Sequence, residues 1–125
     1  MENFTTETFI ARCDTLGYAP AYGQLMGRPT WGEAMTKFVP EHMRGGIVRF
    51  IAHGIMPGGF LTALLNNDLM GAVGRADEKN QRSIVDWCTF LHNSAPQGCY
   101  GSPEAVRSWA AHGGMIGLTS TFDTE

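Results

Sequence analysis

No apolar run in this chain approaches the ~20 residues that a bilayer-spanning helix needs. Its first residues, Met1-Glu2-Asn3-Phe4-Thr5, have neither the basic region nor the apolar stretch of a signal peptide. Both absences point to a cytoplasmic protein with no membrane partner. Cysteine is scarce: Cys13, Cys88 and Cys99 are odd in number and follow no disulfide-scaffold spacing, which suits a reducing compartment. Charge is sparse too, at 17% of residues with a formal net charge of −3, so the basic excess of a nucleic-acid binder is missing. Direct nucleic-acid binding is therefore not expected. The twelve carboxylates are too few and too scattered to imitate a phosphate backbone. GxSxG, HExxH and GxxxxGK(S/T) are all missing, and with them the common hydrolase and nucleotide-hydrolysing machinery. The expectation is a protein that is not an enzyme and uses no cofactor.

What is present suits one domain. The chain has 125 residues, and a hydrophobic fraction of 43% is enough for a core. Sixteen glycines and six prolines act as stops between short helices. The predicted fold is all-α, a small single-domain bundle of five to seven short helices. Residues 1–39 read as an N-terminal helix plus a Gly/Pro-rich loop, 40–114 as a helical module and 115–125 as a tail.

Thr5 or Thr6 caps a first helix, with Phe9, Ile10, Cys13 and Leu16 at helical spacing before Gly17. From Tyr18 to Pro29, glycines and prolines interrupt any period, which predicts a loop. Thr30-Trp31-Gly32-Glu33 matches a capping box that opens a helix to about Phe38. Pro40 starts the next helix, whose core arc is Met43, Ile47, Phe50 and Ile51, and Gly54 ends it. His42, Arg49 and His53 share a neighbouring stripe beside Gly46. Between Phe60 and Val73, Asp68 falls within the stripe Leu61, Leu64, Leu65 and Ala72. Either the helix breaks at Asn66-Asn67-Asp68, with Asp68 as a cap, or Asp68 is buried against Arg75; the break is favoured. Asp77 caps a helix to about Ser94 with Ile84, Val85, Cys88 and Leu91 as its core face and Trp87 at the edge. Ser102-Pro103-Glu104 starts a helix that buries Val106, Trp109 and Ala110 and closes at Gly113-Gly114.

Candidate chemistry is thin. Cys88, His92, Cys99 and His112 permit a Cys2His2 drawing, but their spacing matches no common zinc pattern and no metal is expected. Cys99, three residues before the Ser102 cap, is the one candidate for an activated thiol, and an incidental role is preferred. For a small anion, Gly58 and Gly59 open a helix with Arg49 and His53 nearby in sequence, against the plainer alternative of a helix joint. For a protein partner, Tyr18, Tyr22, Arg28 and Trp31 place aromatic and arginine side chains in the expected loop. Folding of Tyr18 and Trp31 back over the bundle is nearly as good an account.

From Pro40 to Gly114 the chain resembles a group of small bacteriophage and prophage proteins of uncharacterised function. The resemblance rests on Pro40-Glu41-His42-Met43-Arg44, the run from His53-Gly54-Ile55-Met56 to Pro57-Gly58-Gly59-Phe60-Leu61, Asn67-Asp68-Leu69, Gly74-Arg75-Ala76-Asp77 and Gly101-Ser102-Pro103-Glu104. It covers roughly three fifths of the chain and brings no catalytic residues with it. By association, it implies a phage accessory protein in the cytoplasm of the host cell. Such a protein would bind and inhibit a host-defence complex, for example as an anti-CRISPR-type inhibitor, with a host protein or ribonucleoprotein as partner. The alternatives are a sponge for a small anionic nucleotide signal and a small phage regulator. Self-association is left open.

Overall fold

Caps and glycines decide where each helix starts and stops. The protein, described here as a computed structural model covering residues 3–123 and side chains up to residue 119, forms ten α-helices among the described residues. They are α1 (Thr6–Leu16), α2 (Tyr18–Met26), α3 (Pro29–Phe38), α4 (Arg44–His53), α5 (Gly59–Leu65), α6 (Leu69–Arg75), α7 (Glu78–Arg82), α8 (Ile84–Ser94), α9 (Pro103–Ala111) and α10 (Gly114–Asp123). Two 3-10 turns, Glu41–Met43 and Gln97–Cys99, link α3 to α4 and α8 to α9. No strand occurs among the described residues. The all-α expectation holds, but ten helices replace the expected five to seven.

Three features account for the larger number. The expected loop at 18–29 is helix α2. Pro20 lies in its first turn, where a missing N–H costs no hydrogen bond, and Gly17 (φ 88°) and Gly27 (φ 66°) bracket the helix. Ser83 divides the expected single helix from Asp77 to Ser94 into α7 and α8. The segment after Gly113, expected to be a tail, forms α10 and packs on α4. Residues 124 and 125 of that tail, like Met1 and Glu2, lie outside the described residues.

Several expected caps are present. Thr5 and Thr8 cap α1 reciprocally, and the Ser102 hydroxyl accepts from the Ala105 amide at 3.1 Å. Asp68 resolves the conflict noted in sequence as an exposed cap: its Oδ1 accepts from the Gly71 amide at 2.9 Å, after Asn67 turns the chain at φ 66°. Arg75 donates to the Gly71 carbonyl instead of neutralising a buried Asp68. The capping box at Thr30 does not form, because Pro29 already occupies the first helical position and Arg28 is the cap residue.

The core joins the N-terminal segment to the rest. Phe9, Tyr22, Leu25 and Met35 are buried with Ile47, Phe50, Ile51, Leu61, Leu65, Trp87, Phe90 and Trp109. Its three large polar aromatic groups are matched. Tyr22 donates to the Ser94 carbonyl at 2.5 Å and Trp87 Nε1 to Asn80 Oδ1 at 3.1 Å. Trp109 Nε1 donates to both Phe50 O and Ile51 O at 3.1 Å. Two crossings depend on glycine. A Cβ on Gly32 would lie 2.6 Å from Ala19 O, and one on Gly114 would lie 2.6 Å from Ala52 C and Gly54 N.

Gly32→Ala is therefore expected to lower stability by about 1–3 kcal/mol through overpacking, outweighing the ~1 kcal/mol that alanine contributes inside a helix. Thermal unfolding of the variant measures it, and an unchanged midpoint would mean that α2 and α3 separate freely. Asp68→Ala should cost about 0.5–2 kcal/mol as a lost cap. In a double-mutant cycle with Arg75→Ala, the coupling should be near zero.

Candidate functional site

Gly45 opens the space in which three of the sequence candidates, Tyr18, Arg49 and His53, meet. On α4 the positions 45, 49 and 53 are each one turn apart and share a face. A Cβ on Gly45 would lie 2.8 Å from Arg49 Nη1 and 3.1 Å from Tyr18 Cζ, so its absence lets both side chains lie against α4. Arg49 Nη1 donates to Tyr18 Oη at 3.3 Å. His53 packs edge-on to the buried Phe9 ring, with centroids 5.7 Å apart. Together with Ile10, Cys13 and Asp14 of α1, these residues enclose a pocket of about 200 Å³. A second concavity, of about 300 Å³, lies on the other side of Tyr18 and is lined by Leu16, Pro20, Glu41 and Arg44 among others.

Tyr18 thus stands at a corner between two hollows, 39% exposed, with Ile10 at 49% and Leu16 at 41% beside it. Ile10 and Leu16 were expected in the core of α1. The helix is short and turns only Phe9 fully inward, with Cys13 half-buried. No activated nucleophile is assembled here. Burial, reinforced by Asp14, pushes the Cys13 thiol up to about 11, so it stays protonated at neutral pH. Desolvation lowers the His53 pKa, and its buried Nδ1 has no hydrogen-bond partner among the described residues.

The other sequence candidates divide. Tyr22, expected to contact a partner, is wholly buried because α2 is a helix that turns position 22 into the core; this is a correction. Trp31 is half-buried and stacks on Tyr22 at 6.3 Å, while exposed Arg28 covers the indole at 5.2 Å. Arg28 and Trp31 therefore cap the core rather than join Tyr18. The anion-site residues also separate. Arg49 and His53 face α1, whereas exposed Gly58 and Gly59 lie at the start of α5, where a Cβ on Gly59 would meet Arg75 Cδ at 3.1 Å. His42 leaves the stripe of Arg49 and His53 to meet Asp77 at 2.9 Å.

In α8 the inward face is one position away from the expected one. Trp87, Phe90, Leu91 and Ser94 are buried, while Val85 and Cys88 are exposed. The Cys2His2 drawing does not assemble: Cys99 is buried, Cys88 and His92 are exposed on α8, and no three potential ligands group together among the described residues. Cys99 is likewise no activated thiol, since burial pushes it up to about 12.

Sequence reasoning missed two surfaces. One is apolar: Leu69, Met70 and Val73 of α6 are exposed, as is Val85 of α8, near a cleft lined by Leu69, Cys88, Leu91 and Tyr100. The other is a cationic hollow between the end of α3, α7 and the start of α8. Its residues are far apart in sequence, so no local pattern announced it. Comparison with known protein families, curated proteins and solved structures found no significant match, and none bears on the resemblance to phage proteins.

Because His53 is disfavoured as a cation in the folded state, its contribution to stability is full above its ordinary pKa near 6.5 and is lost as pH falls through that value towards the lowered folded pKa. Melting temperatures between pH 8 and pH 5 should therefore decline less steeply for His53→Gln than for the wild type, at roughly the pH range where histidine titrates. Parallel curves would show that the ring is solvated.

Proposed function

We propose that this chain is a non-enzymatic binding protein that captures a partner protein at the corner where α1 meets α2. The observation that carries the reading is Tyr18 held by Arg49 between two hollows, with Ile10 and Leu16 exposed around it. A rigid aromatic ring, an arginine and flanking apolar side chains are the chemistry of interface hot spots. The corner stands on a well-packed base, since Phe9, Ala19 and Val48, which line the two hollows, are buried. Little ordering cost would then fall on binding.

The resemblance to small phage proteins makes a host protein or ribonucleoprotein the partner to test first. An inhibitor of a defence complex of the CRISPR type is the specific form of that proposal. Such a role needs occupancy of a surface and no bond-making, which suits a site whose thiol is kept protonated.

Capture from bacterial lysate followed by mass spectrometry tests the corner directly. Tyr18→Ala and Ile10→Asp should each weaken capture of the same partner by about 2 kcal/mol or more, the scale of a hot spot, while circular dichroism stays helical. Arg28→Ala and Cys13→Ser should retain it. Full capture by both corner variants would defeat the proposal, and loss with Cys13→Ser alone would favour thiol chemistry.

A further inference from the structure

Four of the nine lysines and arginines in this net-negative chain, Lys37, Arg44, Lys79 and Arg82, line one open cavity of about 350 Å³. Asp86 is the single carboxylate in its lining. We infer that this cavity binds a small phosphorylated organic anion of about mononucleotide size; it adjoins the Tyr18 corner, sharing Thr36 and Arg44 with one of its hollows.

Three arrangements support an anion here. Arg44 is half-buried and anchored, its Nε donating to Val39 O at 3.1 Å and its Nη2 to Thr36 O at 3.0 Å. Those carbonyls end α3 and would otherwise present negative partial charge to the cavity; the guanidinium covers them and leaves its other donors for a ligand. Lys37 Nζ lies 5.1 Å above the Phe38 ring, and Arg82 is held by Glu78 at 2.5 Å, so neither cation swings wholly free. Finally, the eleven-residue α8 begins at this cavity: Ser83 and Asp86 line it, and no side chain caps the first amides of the helix. The start of α8, which no side chain caps, and four cations, of which Arg82 is paired with Glu78, therefore converge on one hollow.

The apolar part of the lining fixes the class of ligand. Phe38, Val39 and Pro40 supply a non-polar wall beside the cations, suited to an organic body attached to the phosphate rather than to bare phosphate. The volume lies at the lower end of small-ligand sites. A long polyanion is disfavoured by the rest of the surface, because the chain carries twelve carboxylates against nine cations.

The probes are ADP, inorganic pyrophosphate and single-stranded oligoribonucleotide, each titrated calorimetrically into the full chain. The expected result is ADP binding with a dissociation constant below ~1 mM at low salt, weaker with added salt, and tighter than pyrophosphate. The double variant Lys37→Gln with Arg82→Gln should bind ADP at least about tenfold more weakly, with an unchanged melting temperature. Asp86→Asn should bind it more tightly, and Arg107→Gln, away from the cavity, should match the wild type. The inference is overturned if ADP shows no heat of binding at that concentration, or if the double variant binds it as well as the wild type. It is equally overturned if the oligoribonucleotide binds more tightly than ADP through the same residues, which would make the hollow a nucleic-acid contact.

Discussion

The close approach of three backbone segments at the C-terminal end of α4 is the constraint on which the arrangement depends. Gly54 leaves α4 in the left-handed conformation at φ 72°, and Gly114 enters α10 in the same region at φ 70°. Neither has room for a Cβ, because each would meet backbone of the other's turn within 3 Å. The Trp109 indole secures the third segment by donating to the Phe50 and Ile51 carbonyls of α4. With the end of α4 pinned between α9 and α10, its remaining face is free to receive α1 and α2. That face carries Gly45, Arg49 and His53, and so the corner at Tyr18 is built from the side of α4 that the C-terminal helices leave uncovered.

A second consequence concerns charge. Short helices joined by tight turns bring many helix ends to the surface, and helix ends carry partial charges. Arg44 lies on the last carbonyls of α3, while the first amides of α8 open nearby. The cations around them come from three separate stretches of sequence, near residues 37, 44 and 79–82. The bulk charge of −3 gave no sign of this concentration. A net charge is a sum over the whole surface; recognition responds to the local field.

The helix α8 shows how far periodicity alone can carry an assignment. Its apolar residues outnumber one face: Ile84, Val85, Trp87, Cys88, Phe90 and Leu91 give two overlapping stripes. Placing Val85 and Cys88 inward was consistent with the pattern. The structure instead buries Trp87 and Phe90, which offer more apolar area and, for the indole, a buried acceptor in Asn80. That acceptor comes from α7, a separate helix, so the preference could not be computed from α8 itself.

Local chemistry determined a good part of this protein without reference to its tertiary structure. The helical class, the caps at Thr5, Asp68, Asp77 and Ser102, the stop at Gly54 and the inward Ile47, Phe50 and Ile51 of α4 all follow from interactions within a few residues, and all were legible. Met43, expected on the same arc, instead lies half-buried in the 3-10 turn before α4. Packing decided the rest. Tyr18 to Pro29 looked like a loop because glycine and proline are poor helix formers, yet Gly23 and Gly32 are what let α2 and α3 approach closely enough for a helix from Tyr18 to Met26 to be stabilised. Burial of Tyr22, exposure of Ile10 and the meeting of Arg49 with Tyr18 depend on which helix lies beside which. Such pairings join residues tens of positions apart, and their energy arises only when both helices are in place.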